Sequence, residues 1–197
     1  TVDSKVVHVL TIHFSNNERR VAYENKMMLF NACQNNNINV VNKLLEDNNN
    51  ININQAQQNG STCLSVACTK GYTEIVTVLL AVEGIQVKES LDMVRKQRND
   101  NNSRNQNSVT TETRNEIIQL LINALPDGDE KTLAIKQNNV NLLFQAAKTE
   151  NVSIEDTKKL LALGLDINTI KDPVNNQYLL HVSVLAGNAA VVALLLE

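Results

Sequence analysis

Cysteine and histidine are the residues of this 197-residue chain with the greatest capacity for chemistry, because thiols and imidazoles serve as nucleophiles, bases and metal ligands. His8 and His13 lie five residues apart on a predicted strand, so their side chains point to opposite faces and cannot share a metal ion. A cysteine nucleophile needs a base within hydrogen-bond reach, and no histidine is predicted near Cys33, Cys63 or Cys68. The sequence therefore predicts no catalytic residue, no metal site and no cofactor.

The charged residues do not suggest a reaction centre either. A basic group is formed by Arg95, Lys96, Arg98 and Arg104. We interpret it as a solvated helix end and loop, and as a functional site it would favour an acidic protein segment. Carboxylates lie in predicted turns and at helix ends, and Asp156 is predicted to cap the helix that follows it. The sequence holds no glycine-rich phosphate loop.

The composition excludes several classes of partner. Hydrophobic residues make up 43% of the chain and aromatic residues 3%, so the core must be aliphatic and no aromatic platform for nucleic acid is present. The net charge of −3 argues against a nucleic-acid surface, and no apolar run approaches the roughly 18 residues of a membrane span. We expect the partner to be another protein, with no nucleic acid, no membrane insertion and no small-molecule ligand.

Cysteine usage indicates a cellular compartment. The three cysteines are an odd number without a pairing pattern, and the chain shows no signal-peptide pattern. These features predict a reducing, cytoplasmic location, or the host cytosol if the protein is a secreted bacterial effector.

Asparagine is unusually frequent, at thirty residues. Because asparagine competes with backbone hydrogen bonding inside helices, the patches at 35–37, 48–50 and 99–107 are predicted to be turns and loops. A drift toward AT-rich codons explains the same bias without any function. The chain starts without methionine and stops inside an apolar helical pattern, so we expect it to be part of a longer protein.

The sequence contains an internal repeat, which predicts the helices that position these residues. Pairs of leucines recur at intervals of 35, 41, 40 and 35 residues. The pairs are at 44–45, 79–80, 120–121, 160–161 and 195–196. Each pair closes a segment with apolar residues at i, i+3 and i+4, which is typical of one helix face. A second apolar block precedes four of the leucine pairs and predicts another helix. In the second and last units a glycine, Gly71 or Gly187, separates the two predicted helices, at a position where a left-handed residue would end the first of them.

The segment 59–80 resembles the ankyrin repeat, whose pattern is Asp-x-x-Gly-x-Thr-Pro-Leu-His-x-Ala-Ala-x-x-Gly-His followed by Val-x-x-Leu-Leu. The matching residues are Gly60, Thr62, Leu64, Ala67, Gly71, Val76, Leu79 and Leu80. Cys63 and Leu179 stand at the family's proline position, and its histidine survives only as His181. The resemblance implies that the His181 imidazole hydrogen-bonds backbone and organises the turn between repeats.

The resemblance implies an all-α ankyrin-repeat solenoid of about four to five helix–turn–helix units. The array would occupy residues 26–197, with units at 26–55, 56–87, 88–128, 129–168 and 169–197. The third unit is degenerate, with helices predicted at 89–96 and 111–125 around a polar insertion at 97–108, and the last unit is truncated.

The first 25 residues differ from the array. Lys5–Phe14 is rich in β-branched residues and predicts a strand. Two interpretations stay open for residues 1–25. They are the end of an upstream domain, or an adapted cap over the first repeat, because terminal repeats need a polar outer face.

The resemblance also implies where a partner would bind, namely the tips of the turns between repeats and the inner surface of each first helix. The tip positions are Gln57, Gln58 and Asn59 before the second unit, and Val174, Asn175 and Asn176 before the last. The inner helix positions are Val66, Thr69, Lys70, Gln145, Lys148, Val182 and Leu185.

We therefore expect a protein–protein interaction module that binds its partner on a concave face and forms part of a larger scaffold or effector protein, without being an enzyme itself. The alternative is the substrate-recruiting portion of an enzyme whose catalytic domain lies outside this array. A third interpretation is a structural spacer with no partner.

Overall fold

A computed structural model of the chain describes residues 20–21, 23–47, 51–97, 109–149, 153–172 and 175–196. The chain divides into two compact units, one ending at Leu125 and the other beginning at Pro126. The described residues are helical apart from turns, loops and a two-residue bridge between Lys171 and Tyr178. The all-α prediction is confirmed for this part of the chain, and the predicted strand at Lys5–Phe14 lies outside it.

The first unit contains six helices within its described residues. Helix α1 covers 23–34, and residues 20 and 21 are also helical. The others are α2 (Ile38–Glu46), α3 (Cys63–Lys70), α4 (Thr73–Leu80), α5 (Lys88–Gln97) and α6 (Thr111–Ala124). The expected third-unit helices are thus present as α5 and α6, and residues 98–108, which include most of the expected polar insertion, lie outside the described residues. The expected unit boundary at residue 26 falls inside a helix.

The second unit contains four helices within its described residues. They are α7 (Asp129–Lys148), α8 (Ile154–Leu161), α9 (Leu179–Leu185) and α10 (Ala189–Leu196). Helix α7 is 20 residues long, so it extends well before the apolar block at 142–147 that marks it in the sequence.

Helices pack in the same scheme in both units. In the first unit α3 packs against α4 and α5, and α4 packs against α2 and α6. In the second unit α7 packs against α8 and α9, and α10 packs against α8 and α9. The helices form consecutive pairs, in which α3, α5, α7 and α9 are first helices and α2, α4, α6, α8 and α10 are second helices. Within each unit the first helix of one pair packs on the first helix of the next, and the second helix on the second. Stacked helix pairs bury in this way an apolar face that a single pair would leave exposed.

Side-chain caps define the ends of these helices. Thr62 Oγ1 accepts a hydrogen bond from Ser65 N at 3.1 Å, and Ser65 Oγ accepts one from Thr62 N at 2.9 Å, so α3 begins with a capping box. Gly71 ends α3 with a φ of 79°, and Gly187 follows α9 with a φ of 70°. Both glycines adopt the left-handed conformation that the sequence predicts.

The start of α8 corrects one expectation. Ser153, rather than Asp156, is its N-cap, and Ser153 Oγ accepts a hydrogen bond from Asp156 N at 3.2 Å. Serine and aspartate are both good caps, so their types alone do not decide between them. The predicted asparagine turn at 35–37 is present between α1 and α2, with a positive φ of 56° at Asn36.

Each unit has an aliphatic core. Leu64, Ile75, Leu79 and Leu121 are at most 1% exposed in the first unit. In the second unit Leu143, Phe144 and Leu179 form a cluster with Val182 and Val191. These cores fix the first helices, and through them the turns that precede α3 and α9.

Candidate partner-binding surface

The turn before α3 holds three predicted tip residues. Gln57 N donates to Ser61 O at 2.8 Å, and Gly60 N donates to Gln57 O at 2.9 Å. Gly60 has a φ of 79°, which lets the chain reverse tightly. Gln58 and Asn59 are exposed, while Gln57 is half-buried and its Nε2 lies 4.0 Å from the sulfur of Met27. The turn is closed by main-chain atoms, so the Gln58 side chain is left to solvent.

Asn59 has a second role within this turn. Its Oδ1 accepts a hydrogen bond from Ser61 N at 3.0 Å. This contact is an Asx turn, in which the side chain replaces a main-chain acceptor. Asn59 therefore contributes to the shape of the tip as well as to its surface, whereas no such contact involves Gln58 among the described residues.

The turn before α9 repeats this arrangement. Asp172 N donates to Gln177 O at 2.8 Å, Asn176 N donates to Asp172 O at 2.8 Å, and Lys171 pairs with Tyr178 in an antiparallel bridge. Asn175 and Asn176 are exposed, and Asn176 has a φ of 55°. Asparagine tolerates this left-handed conformation better than most residues. The third predicted tip residue, Val174, lies outside the described residues.

On α3 the predicted positions share one face. Val66, Thr69 and Lys70 follow an i, i+3, i+4 spacing, and they are half-buried, half-buried and exposed, respectively. Lys70 Nζ donates to the main-chain oxygen of Gln34 at 3.0 Å. Lys70 thus links the ends of α3 and α1, a structural role that sequence reasoning did not predict.

On α7 the predicted pair is Gln145 and Lys148. Lys148 Nζ lies 2.6 Å from Asp172 Oδ2, and the Asp172 side chain is 2% exposed. This ion pair ties the end of α7 to the base of the turn before α9. The Gln145 side chain is half-buried, and the Lys148 ammonium is paired with Asp172. Both side chains therefore make contacts within the fold as well as facing solvent in part.

On α9 one predicted residue is wrong. Val182 is 4% exposed and belongs to the core cluster of the second unit, so it offers no side chain to a partner. Leu185 is 73% exposed, in agreement with a surface position. The sequence analysis missed Val184 and Leu180, which are 58% and 39% exposed.

His181 lies beside a cavity of about 290 Å³ in the second unit. The cavity is lined by Ile167, Asn168, Tyr178, Leu179, Leu180, His181 and Leu195. The ring of His181 is 5.9 Å from that of Tyr178, and Lys171 Nζ is 5.0 Å from the Tyr178 ring centre. The structure therefore places His181 at an exposed aromatic edge, and its role in organising the turn stays a prediction.

Asn188 is a structural residue that the sequence analysis did not single out. It is 4% exposed, and its Nδ2 donates to Ala146 O at 3.0 Å and to Thr149 O at 2.8 Å. Its Oδ1 accepts from Val191 N at 3.1 Å and so caps α10. Asparagine directly after a helix-ending glycine is a sequence signal for such a cap.

One residue of the basic group, Arg95, is less solvated than expected. Arg95 is half-buried in α5, and burial lowers the pKa of its guanidinium, while Asp92 opposes the shift. Lys96 is exposed, and Arg98 and Arg104 lie outside the described residues.

Within the described ranges, no three histidine, cysteine or carboxylate side chains are grouped so that they could hold a metal ion. In the same residues, no helix combines the length and the apolar character that crossing a membrane requires.

Comparison with protein families gives a match in the first part of the chain. Residues 2–90 match a family model described as ankyrin repeats in three copies. The match includes the α3–α4 pair with its preceding turn, and it ends within α5. No curated protein matches the chain.

Proposed function

Since residues 2–90 match a family model of ankyrin repeats, we propose that this chain binds another protein through the tips of its turns and the exposed face of its first helices. Ankyrin repeats are generally protein–protein interaction modules. The turn at 57–61 carries the proposal, because main-chain hydrogen bonds close it while Gln58 stays exposed. A turn already held in shape loses little conformational entropy when a partner binds.

The chemistry of this surface favours a polar partner surface. Gln58 and Asn59 offer amides, Thr69 a hydroxyl and Val66 a small apolar patch. Within the first unit, Lys70 adds one positive charge whose ammonium already contacts Gln34. Recognition would therefore rest on shape and amide hydrogen bonds more than on long-range electrostatic steering.

The second unit offers a similar surface with more apolar character. Asn175 and Asn176 are exposed amides at its turn, and Leu185 is 73% exposed on α9. An exposed leucine beside polar tips supplies the apolar anchor that stabilises many interfaces. Val182 has no part in this surface, because it is buried.

The proposed setting is a reducing compartment, where the module would serve a larger scaffold or effector protein. Three free and buried cysteines support that location. A module that recruits a substrate to a catalytic domain elsewhere would use the same surface, and the experiment below applies to both settings.

The test compares a tip variant with a matched variant elsewhere. Gln58→Arg changes an exposed tip side chain, and Thr77→Arg makes a similar change on the exposed side of α4. Each chain is used as bait in quantitative affinity purification from lysate of the source cells. We expect Gln58→Arg to reduce recovery of specific partners by about tenfold, the effect of losing roughly 1.4 kcal/mol of binding free energy.

Thr77→Arg is expected to leave recovery unchanged, because Thr77 belongs to a second helix and not to the turns or first helices of the proposed surface. Circular dichroism of both variants should match the wild type, since neither position is buried. Loss of partners with Thr77→Arg but not with Gln58→Arg would contradict the proposed surface.

A further inference from the structure

One side of the α9–α10 pair is open to solvent, although the same side of the α3–α4 pair is closed. When Gly187 is aligned with Gly71, three apolar positions differ in this way between the two pairs. In the first unit these positions are at most 2% exposed, and they are Leu64, Cys68 and Leu79. Their counterparts in the second unit, which we call the end face, are Leu180 (39% exposed), Val184 (58% exposed) and the half-buried Leu195.

Two other positions of α9 show that the difference in burial is confined to one side. Ser183 and its counterpart Ala67 are both 0% exposed. Leu185 is exposed, and its counterpart Thr69 stays partly exposed although a neighbouring pair is in place. In the first unit that neighbouring pair is α5–α6, in which α5 packs on α3 and α6 packs on α4. The end face therefore corresponds to the side of α3–α4 on which α5–α6 lies.

A cavity of about 290 Å³ lies along the end face. Leu180 and Leu195 line it, together with Asn168 and His181 among others. His181 is exposed here, whereas its counterpart in the first unit, Ser65, is 2% exposed. A mainly apolar hollow of this kind suits aliphatic side chains of a neighbouring element.

Asn168 gives a second, polar observation at the same place. Asn54 and Asn168 end the same type of Asx turn, in which the main-chain N–H donates to the side-chain oxygen two residues earlier, at 3.2 and 3.1 Å. The Asn54 side chain also holds the loop before α5, because its Nδ2 donates to Gly84 O and its Oδ1 accepts from Gln86 N, each at 2.8 Å. Within the described residues, the Asn168 side chain makes no hydrogen bond. Its amide is therefore available to hold a loop in the same way.

We propose that the end face is the docking site of a further helix pair of the same repeat type, contributed by residues of this polypeptide that follow Glu197. The first helix of that pair packs on α9 as α5 packs on α3, and it carries an apolar stripe like that of Leu91 and Val94, which are 3% and 1% exposed. The loop before it presents a main-chain carbonyl and an N–H to Asn168.

The length of the connection in the first unit favours the same polypeptide over another molecule. Helix α5 begins at Lys88, only eight residues after α4 ends at Leu80. A connection of that length keeps consecutive elements adjacent and gives the docking segment a high effective concentration.

The inference goes beyond the proposed function, because it concerns a different surface. In the second unit the proposed partner surface consists of the turn tip and Leu185, whereas the end face consists of Leu180, Val184 and Leu195. Loss of a partner through a tip variant therefore leaves the end face untested, and the experiment below leaves the tip unchanged.

The experiment measures amide hydrogen exchange by mass spectrometry in the 197-residue chain and in the full-length protein. We expect α9 to exchange about tenfold more slowly in the full-length protein, because a covered helix opens less often. Exchange in α3 should be equal in the two proteins, since α5 already covers it in the shorter one.

Two aspartate variants at adjacent residues locate the docking site. In the full-length protein, Val184→Asp places a charge on the end face and should raise α9 exchange to the rate of the 197-residue chain. Leu185→Asp should keep the slow exchange, because its counterpart Thr69 stays partly exposed beside α5. In the 197-residue chain Val184→Asp should leave α9 exchange within about twofold of the wild type, since Val184 is already 58% exposed and only helix propensity changes.

The proposal is overturned if no helix pair follows Glu197 in the full-length protein, or if α9 exchanges equally fast in both proteins. It is also overturned if Leu185→Asp accelerates exchange as much as Val184→Asp. Slower α9 exchange at higher concentration of the 197-residue chain would contradict it as well, because the occupant would then be a second copy.

Discussion

The α3–α4 pair and the α9–α10 pair share one sequence pattern but differ in burial. Aligning Gly71 with Gly187 pairs Leu64 with Leu180 and Cys68 with Val184. Leu64 and Cys68 are 1% and 2% exposed, whereas Leu180 and Val184 are 39% and 58% exposed. Helix α3 is covered by α5, the first helix that follows it, whereas α9 packs against the preceding first helix, α7, and no described first helix of the second unit follows it. The pattern thus produces the helix pair, while a neighbouring pair decides how much of it is buried.

The largest expected effect compares the two aligned leucines. Leu64→Ala should lower the free energy of unfolding by about 3 kcal/mol, because it removes a fully buried side chain and leaves a cavity. Leu180→Ala should cost about 1 kcal/mol, since its side chain is already partly in water. Urea denaturation followed by circular dichroism measures both, and equal losses would mean that Leu180 is covered in solution.

The next effect concerns the residue after each glycine. Asn188→Ala should destabilise the second unit by about 2 kcal/mol, because it removes a helix cap and leaves buried carbonyl groups without their donors. Tyr72, the aligned residue, makes no side-chain cap in the first unit. Asn188→Ser keeps an uncharged side-chain acceptor for the cap and removes the two donated bonds, so a loss equal to that of Asn188→Ala would contradict any contribution of the cap.

Replacing each of the two helix-ending glycines by alanine should lower the free energy of unfolding by different amounts. A Cβ at Gly71 would lie 2.9 Å from Cγ1 and 3.0 Å from Cγ2 of Val109, whereas a Cβ at Gly187 would meet no atom within 4 Å. Both residues have positive φ, so Gly187→Ala should cost about 1 kcal/mol and Gly71→Ala about 2 kcal/mol. Thermal denaturation of the two variants measures the difference. The steric explanation fails if Gly71→Ala with Val109→Ala is as unstable as Gly71→Ala alone.

The smallest expected effect is a difference between α8 and α3 in how the stability of their N-terminal ends depends on pH. Hydrogen bonds from Lys159 and Ser153 lower the pKa of Asp156 at the start of α8, while α3 is capped by Thr62 and Ser65, which do not titrate. A lowered pKa stabilises the folded state above the ordinary aspartate pKa, and this contribution is lost as pH falls through the lowered value.

Amide hydrogen exchange, corrected for its intrinsic dependence on pH, can follow both helices as the pH is lowered. We expect α8 to open slightly more often at acid pH and the start of α3 to stay unchanged. Asp156→Asn should remove this pH dependence, and a variant that still shows it would assign the effect to another group.

Sequence patterns predicted helices better than they predicted surfaces. The leucine pairs mark α2, α4, α6, α8 and α10 because a second helix with one apolar stripe repeats at a nearly constant spacing. Helix α7 is longer than predicted, because its first half, 129–139, has no resemblance to the repeat pattern. The family model of ankyrin repeats that matches residues 2–90 includes segment 59–80, on which the resemblance in the sequence rests.

The candidate surface was predicted less well, for a physical reason. The tips at 57–59 and 175–176 follow from asparagine, glutamine and glycine in turns, and those described residues do form turns. Val182 was predicted from its alignment with Val66, which is half-buried, yet Val182 lies in the core. The roles of Lys70 and Lys148 depend on contacts with Gln34 and Asp172, which are 36 and 24 residues away in the sequence. Such long-range contacts leave no trace in a local pattern.

The main-chain closure of the turn at 57–61 has a consequence for how this protein can diverge. Because Gln57, Gly60 and Ser61 close the loop with peptide groups, the amino acid at position 58 can change without altering the path of the chain. If position 58 contacts a partner as proposed, mutation there would change the chemistry of that contact with almost no cost to the stability of the fold. Position 58 is thus a natural site for evolution, or for a randomised library, to create new specificity on an unchanged scaffold.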